Sequence, residues 1–259
     1  LGPEMMDKFE QQARRFGAEM LPEDVNAIDF SKRPFTVQTD SGTYQSETII
    51  IATGASAKWL GLHNERRLQG QGVTACATCD GFFFKNKDVV VIGGGDTAME
   101  EATFLTRYAS SVTMIHRRET FRASKIMQDR AQKNPKIRFL MESEVIDVLG
   151  ENAVTGVHVR NTRTGEVSLL ETQGLFLAIG HQPNTTLFKG VIDMDEVGYI
   201  VPVENTMTNI PGVFAAGDVT DHRYRQAITA AGDGCRAAID LERWLEDSQN
   251  EKVGVENWN

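Results

Sequence analysis

The chain has 259 residues, of which 41% are hydrophobic and 24% charged, enough apolar material for a sizeable core in one or two domains. A net charge of -9 and a pI near 5.1 argue against nucleic acid or an anionic membrane surface as the main ligand. Three cysteines are too few for a disulfide-scaffolded secreted protein, and no apolar run approaches the roughly 20 residues that span a bilayer; the expectation is a soluble, cytoplasmic protein without membrane or nucleic-acid partners.

In chain order, residues 1–20 read as an amphipathic helix rather than a leader. The apolar run Thr48 to Ala52 is strand-sized and ends in Thr53-Gly54, where the carboxyl end of a strand would meet a ligand. Next comes "TACATCDGFFF", residues 74–84, with Cys76 and Cys79 three apart and Asp80 directly after them. A structural zinc site needs four ligands, and the chain has no second CxxC and no His pair at short spacing, so no metal is expected. A redox pair fits better, since the spacing closes a small disulfide loop and CxxC surroundings lower a thiol pKa. Such a pair needs an electron source.

About a dozen residues downstream, Val89 to Ile92 form an all-apolar run of the buried parallel type. Gly93, Gly95 and Ala98 then fit G-x-G-x-x-A: a tight turn, a close backbone approach to a pyrophosphate, and a small residue packing helix on strand. Asp96 or Thr97 begins a helix whose first amides face the phosphates. The second strand, Val112 to Ile115, ends where an NAD-specific site would carry an acid on the ribose. His116, Arg117 and Arg118 stand there instead, with Arg122 one helical turn beyond Arg118; guanidinium groups suit a 2′-phosphate, so NADPH is preferred to NADH. Glu119, the one nearby acid, reads as surface.

Towards the C-terminus, the strand Val213 to Ala216 leads into Gly217-Asp218 and a long helix from about Gln226 to Glu246. An aspartate there can bind a ribityl hydroxyl, and the helix amino end can stabilise charge on a reduced flavin; a plain helix cap is the alternative. Cys235 is expected in core packing with Ala231 and Ile239.

Taken together, "ACATCDG" (75–81), "VIGGGDTAMEEATFLT" (91–106), "HRRETFRASKIM" (116–127), "AIGHQPNT" (178–185) and "GVFAAGDVTDHRYRQAITAAGDGCRAA" (212–238) give the chain a resemblance to the low-molecular-weight thioredoxin reductases. The resemblance implies an α/β fold of two nucleotide-binding, Rossmann-like domains: an NADPH domain over about 61–180, inserted into an FAD domain formed by 1–60 and 181–259. It implies that Cys79 stacks over the flavin, Cys76 attacks the substrate disulfide and Asp80 acts as general acid. It assigns NADPH to Gly93, Gly95, His116, Arg117, Arg118 and Arg122, and FAD to Asp218 and the turn Arg225, Gln226, Ala227. It further implies a homodimer that passes electrons to thioredoxin. A relative acting on a peroxiredoxin or a small disulfide, and a non-catalytic NADPH- or zinc-binding module, are the alternatives. No G-x-G-x-x-G fingerprint occurs before Gly93, so the expectation is a chain lacking the first FAD-binding unit.

Overall fold

The computed structural model describes residues 2–256. The chain packs as two compact units, one drawn from residues up to Ala55 and from Pro183 onward, the other from Ser56 to Gln182.

The first unit opens with α1 (Gly2–Arg15), which buries none of its residues, followed by an antiparallel sheet of β1 (Val25–Asp29), β2 (Phe35–Thr39) and β3 (Thr43–Ser46). The Thr48–Ala52 run forms β4 (Ile49–Ile51). Short β5 (Ala55–Ala57) then carries the chain across to the second unit.

The second unit is built on a parallel sheet, as its all-apolar runs predict. After α2 (His63–Arg67) come β6 (Val73–Thr74), α3 (Ala77–Asp80), β7 (Asp88–Ile92), α4 (Asp96–Leu105), β8 (Ser111–Ile115), α5 (Lys125–Gln132) and β9 (Ile137–Leu140). An antiparallel excursion follows: β10 (Ser143–Leu149), β11 (Gly156–Asn161) and β12 (Val167–Glu171). The chain returns as β13 (Gly174–Leu177), which inserts between β6 and β7 to give the order β6-β13-β7-β8-β9. Between β7 and β13 the direction of winding reverses, and ligands of open α/β sheets bind at such a switch point. Val89, Val90 and Val91 are each at most 1% exposed, which is why an uninterrupted apolar run is needed there. Burying each contributes about 1.5–3 kcal/mol.

A buried acid shapes the entry to this unit. Glu65 is 0% exposed, and its carboxylate accepts backbone hydrogen bonds from Leu60 (2.8 Å), Gly61 (2.8 Å) and Leu62 (3.2 Å), satisfying amides ahead of α2.

After β14 (His181–Pro183), the first unit is completed by β15 (Val213–Ala215), parallel to β4, and α6 (Ala227–Glu256). Helix α6 runs ten residues past the expected end. Arg33 locks it to the β-structure: the guanidinium lies 4.8 Å from the Phe35 ring centre and 4.5 Å from that of Trp244, and donates to the Pro211 carbonyl.

Two expectations are corrected. Cys235 does not pack in the core: it is exposed, as are Ala231 and Ile239. Helix α6 carries apolar residues on more than one face, and the stripe at Ala237, Leu241 and Trp244 is the one that packs on Phe214 and Ala216. Arg118 and Arg122 are not one helical turn apart, because residues 117–124 form a loop and α5 starts only at Lys125.

Replacing Glu65 by Ala would leave three partly buried amides without their acceptor and open a gap where a fully buried side chain stood, lowering stability by about 3 kcal/mol. Denaturant unfolding of Glu65→Ala against wild type measures it; a loss under about 0.5 kcal/mol would mean that water or a rearranged turn replaces the carboxylate.

Candidate active site

The cysteines sit where β6 ends. Ala77, 1% exposed, anchors α3 in the core and leaves Cys76 half-buried and Cys79 exposed. The two sulfurs form a disulfide. The Cys79 amide donates to Cys76 Sγ at 3.2 Å, and the Thr78 hydroxyl lies 3.4 Å from the same sulfur. Hydrogen bonds aimed at Cys76 Sγ stabilise negative charge on it once the disulfide opens. Thr74 completes the group, accepting from the Cys76 amide at 3.1 Å and donating to a carboxylate oxygen of Asp80. The carboxylate is thereby fixed beside the disulfide. Thr74 was not singled out from sequence, although a hydroxyl residue closing a strand two positions before a cysteine was the available signal.

At the switch point, three consecutive glycines serve three different needs. A Cβ on Gly93 would lie 2.5 Å from the Ala178 carbonyl oxygen and 2.7 Å from the Ala98 side chain, so no other residue fits between β13 and α4. A Cβ on Gly94 would lie 2.4 Å from the His116 ring. Over Gly95 there is open space, the condition for a pyrophosphate to approach the backbone. Asp96 begins α4 and its carboxylate accepts from the Ser124 amide at 2.7 Å; Thr97 is exposed and Ala98 is fully buried.

The loop after β8 is tied to this turn. The amides of Arg122 and Ala123 both donate to the Gly94 carbonyl (2.8 and 3.0 Å). His116 is 7% exposed, stacked near Phe121, with Nε2 3.0 Å from the Thr120 carbonyl. Burial, reinforced by the arginines at 118, 122 and 117, pushes its imidazole below the ordinary histidine range. His116 is therefore neutral at neutral pH and holds the loop in place, while Arg117, Arg118 and Arg122 are exposed and carry the positive charge.

In the first unit, a cavity of about 370 Å³ is lined by Ala52, Gly54, Ala216, Gly217, Asp218, Ala227, Ala230 and Gly234. Thr53, between the lining residues Ala52 and Gly54, exchanges hydrogen bonds with Asn184, hydroxyl to carbonyl at 2.7 Å and amide to carbonyl at 2.9 Å. Asp218 Oδ1 is buried there with no hydrogen-bond partner, an unsatisfied acceptor facing small residues at the start of α6. Burial first, then the neighbouring Asp221 charge, pushes the Asp218 carboxyl above its usual range. Asp221 holds the following turn by accepting from the amides of Arg223, Tyr224 and Arg225, and Gln226 Nε2 donates to the Tyr224 and Arg225 carbonyls. Small walls and an orphaned carboxylate oxygen fit a ligand bearing hydroxyl donors.

A raised folded-state pKa means that folding favours protonated Asp218. The stability tied to it is complete below the unfolded value of about 3.9 and is lost as pH rises through the folded value. In the ligand-free protein, Asp218→Asn should therefore raise Tm at pH 7, with the gain shrinking as pH falls towards about 4. A gain independent of pH would show that desolvation of the ionised carboxylate is not the cause.

Comparison with known proteins places these features. The pyridine nucleotide-disulphide oxidoreductase family matches residues 4–234. A thioredoxin reductase of Streptomyces coelicolor is 57% identical over 247 residues, spanning 95% of this chain and 77% of that protein. A bifunctional thioredoxin reductase/thioredoxin of Mycobacterium leprae is 53% identical over 97% of this chain and 56% of its own length. Among solved structures, thioredoxin reductases of Giardia duodenalis and Streptococcus pyogenes superpose with TM-scores of 0.88 and 0.89, at 43% and 39% identity, each over 95% of this chain and 81% of the other. With a dinucleotide turn, a CxxC disulfide and this degree of likeness, the chain belongs to the pyridine nucleotide-disulphide oxidoreductase family and, within it, to the thioredoxin reductases.

Proposed function

We propose that the chain reduces the disulfide of thioredoxin with electrons from NADPH, through FAD and the Cys76–Cys79 pair. The observation that carries this reading is the Cys76–Cys79 disulfide with the Asp80 carboxylate fixed beside it by Thr74. The thioredoxin-fused M. leprae relative supports thioredoxin as the partner.

FAD is assigned to the Asp218 cavity, with Thr53, Gly54, Gly217 and the Arg225-Gln226-Ala227 turn around it. NADPH is assigned to the Gly93–Ala98 turn, Asp96 and Thr97 included, and to Arg117, Arg118 and Arg122. When bound, the nicotinamide and flavin supply a hydride equivalent, two electrons that with two protons convert the disulfide to a dithiol. The Cys76 thiolate then attacks one sulfur of the partner's disulfide, forming a mixed disulfide and releasing the other sulfur as a thiolate. Asp80 carries the proton that this thiolate takes up. Cys79 attacks Cys76 Sγ, which re-forms the intramolecular disulfide and frees the second partner sulfur as a thiol.

Two experiments test the reading. A reduced Cys79→Ser variant should trap a mixed disulfide with oxidised thioredoxin, and Cys76→Ser should not. Both belong on a Cys235→Ser background, because Cys235 is a free, exposed thiol. Trapping by Cys76→Ser instead would exchange the two roles. Separately, wild type should bind NADP⁺ ahead of NAD⁺, and Arg117→Ala with Arg118→Ala should erase most of that preference. Each lost charge-assisted contact is worth about 1.5–3 kcal/mol, so a change of tenfold or more is expected. Equal affinity in wild type would sink the cofactor assignment.

A further inference from the structure

The loop bearing Arg117 and Arg118 is held from a second side. Thr162, at the tip of the β11–β12 hairpin, donates from its hydroxyl to the Arg117 carbonyl at 3.3 Å. The Glu142 amide donates to the Arg118 carbonyl at 3.3 Å, and the Thr162 amide donates to the Glu142 carbonyl at 2.6 Å. Glu142 takes a left-handed conformation, with φ of 49°. That local backbone cost indicates that the surrounding contacts fix its position. Its carboxylate pairs with Arg163 at 3.6 Å; the Glu142 side chain is one-quarter exposed and that of Arg163 nearly three-quarters.

The pairing poses an electrostatic problem and its solution together. Through its backbone amide Glu142 borders the loop that carries the positive cluster proposed to receive a phosphate dianion, so its carboxylate adds a negative charge to the surroundings of that cluster. Left unpaired, it would repel that dianion. Arg163 cancels it. An exposed ion pair of this kind adds little to folding stability, so it has no strong structural reason to sit there.

We propose that Glu142 and Arg163 form a charge-balanced arm that sets the preference for a 2′-phosphorylated nucleotide, Arg163 acting as a specificity-determining residue without being one of the arginines of the nucleotide loop. The proposal rests on the assignment of the 2′-phosphate to Arg117, Arg118 and Arg122. Removing Arg163 leaves Glu142 uncompensated. For a charge and a dianion taken to be about 10 Å apart in water of low ionic strength, Coulomb's law changes binding about three- to fivefold, and salt screens it.

The test is calorimetric titration of the full chain with NADP⁺ and with NAD⁺ at low salt. Arg163→Ala should weaken NADP⁺ binding about three- to fivefold, leave NAD⁺ within twofold, and lose its effect near 0.5 M salt. Adding Glu142→Gln to Arg163→Ala should restore NADP⁺ binding to within twofold of wild type, and a thermal melt should show both variants folded. Equal weakening of both nucleotides would make the arm merely structural and overturn the proposal. So would an unchanged NADP⁺ affinity in Arg163→Ala while Arg117→Ala with Arg118→Ala still weakens NADP⁺ selectively; in that case the cofactor reading survives. If the double arginine variant also leaves the preference untouched, the cofactor reading itself fails, and the proposal fails with it.

Discussion

The missing side chain at Gly93 is the constraint on which the second unit depends. Strand β13 can lie against β7, and α4 can close over them, only because nothing projects between the Ala178 carbonyl and the Ala98 methyl. The next residue depends on that closure. Gly94 leaves a flat space that the His116 ring fills, and its carbonyl gathers the amides of Arg122 and Ala123. The absence of a side chain at one backbone position thus fixes where three arginines end up, twenty-four and more residues further on. Loosening the turn would release the arginine-bearing loop with it.

The two proposed nucleotide sites are built on opposite electrostatic plans. The one at the switch point has exposed guanidinium groups around a neutral, buried histidine, so its field is positive. The one at the start of α6 offers small walls and an unsatisfied carboxylate oxygen, a place for hydroxyl donors rather than for anionic groups. Such complementarity helps keep two related nucleotides apart.

What was legible in the sequence follows from what each residue interacts with. Buried parallel strands require an apolar run, so β7 is legible in its composition, and the glycine spacing marks the turn after it. Arg118 and Arg122 looked like neighbours on a helix because four-residue spacing is the helical signal; the amides held by Gly94 and Asp96 keep the segment a loop instead. Cys235 shares a period with Ala231 and Ile239, which points to the core, but a helix with two apolar faces leaves period alone ambiguous. Glu65 and Thr74 escaped notice for a common reason. Their partners are backbone amides and one carboxylate brought near by turns, and no pattern of residue types records where a turn aims its N–H groups.

The exposed thiol of Cys235 has a practical consequence. With Cys76 and Cys79 joined, it is the free cysteine of a three-cysteine chain. A maleimide dye or spin label added to the oxidised protein would attach to α6 and leave the redox pair untouched. Because Ala230 and Gly234, on the same helix, line the Asp218 cavity, such a probe would report on ligands entering that cavity without occupying it.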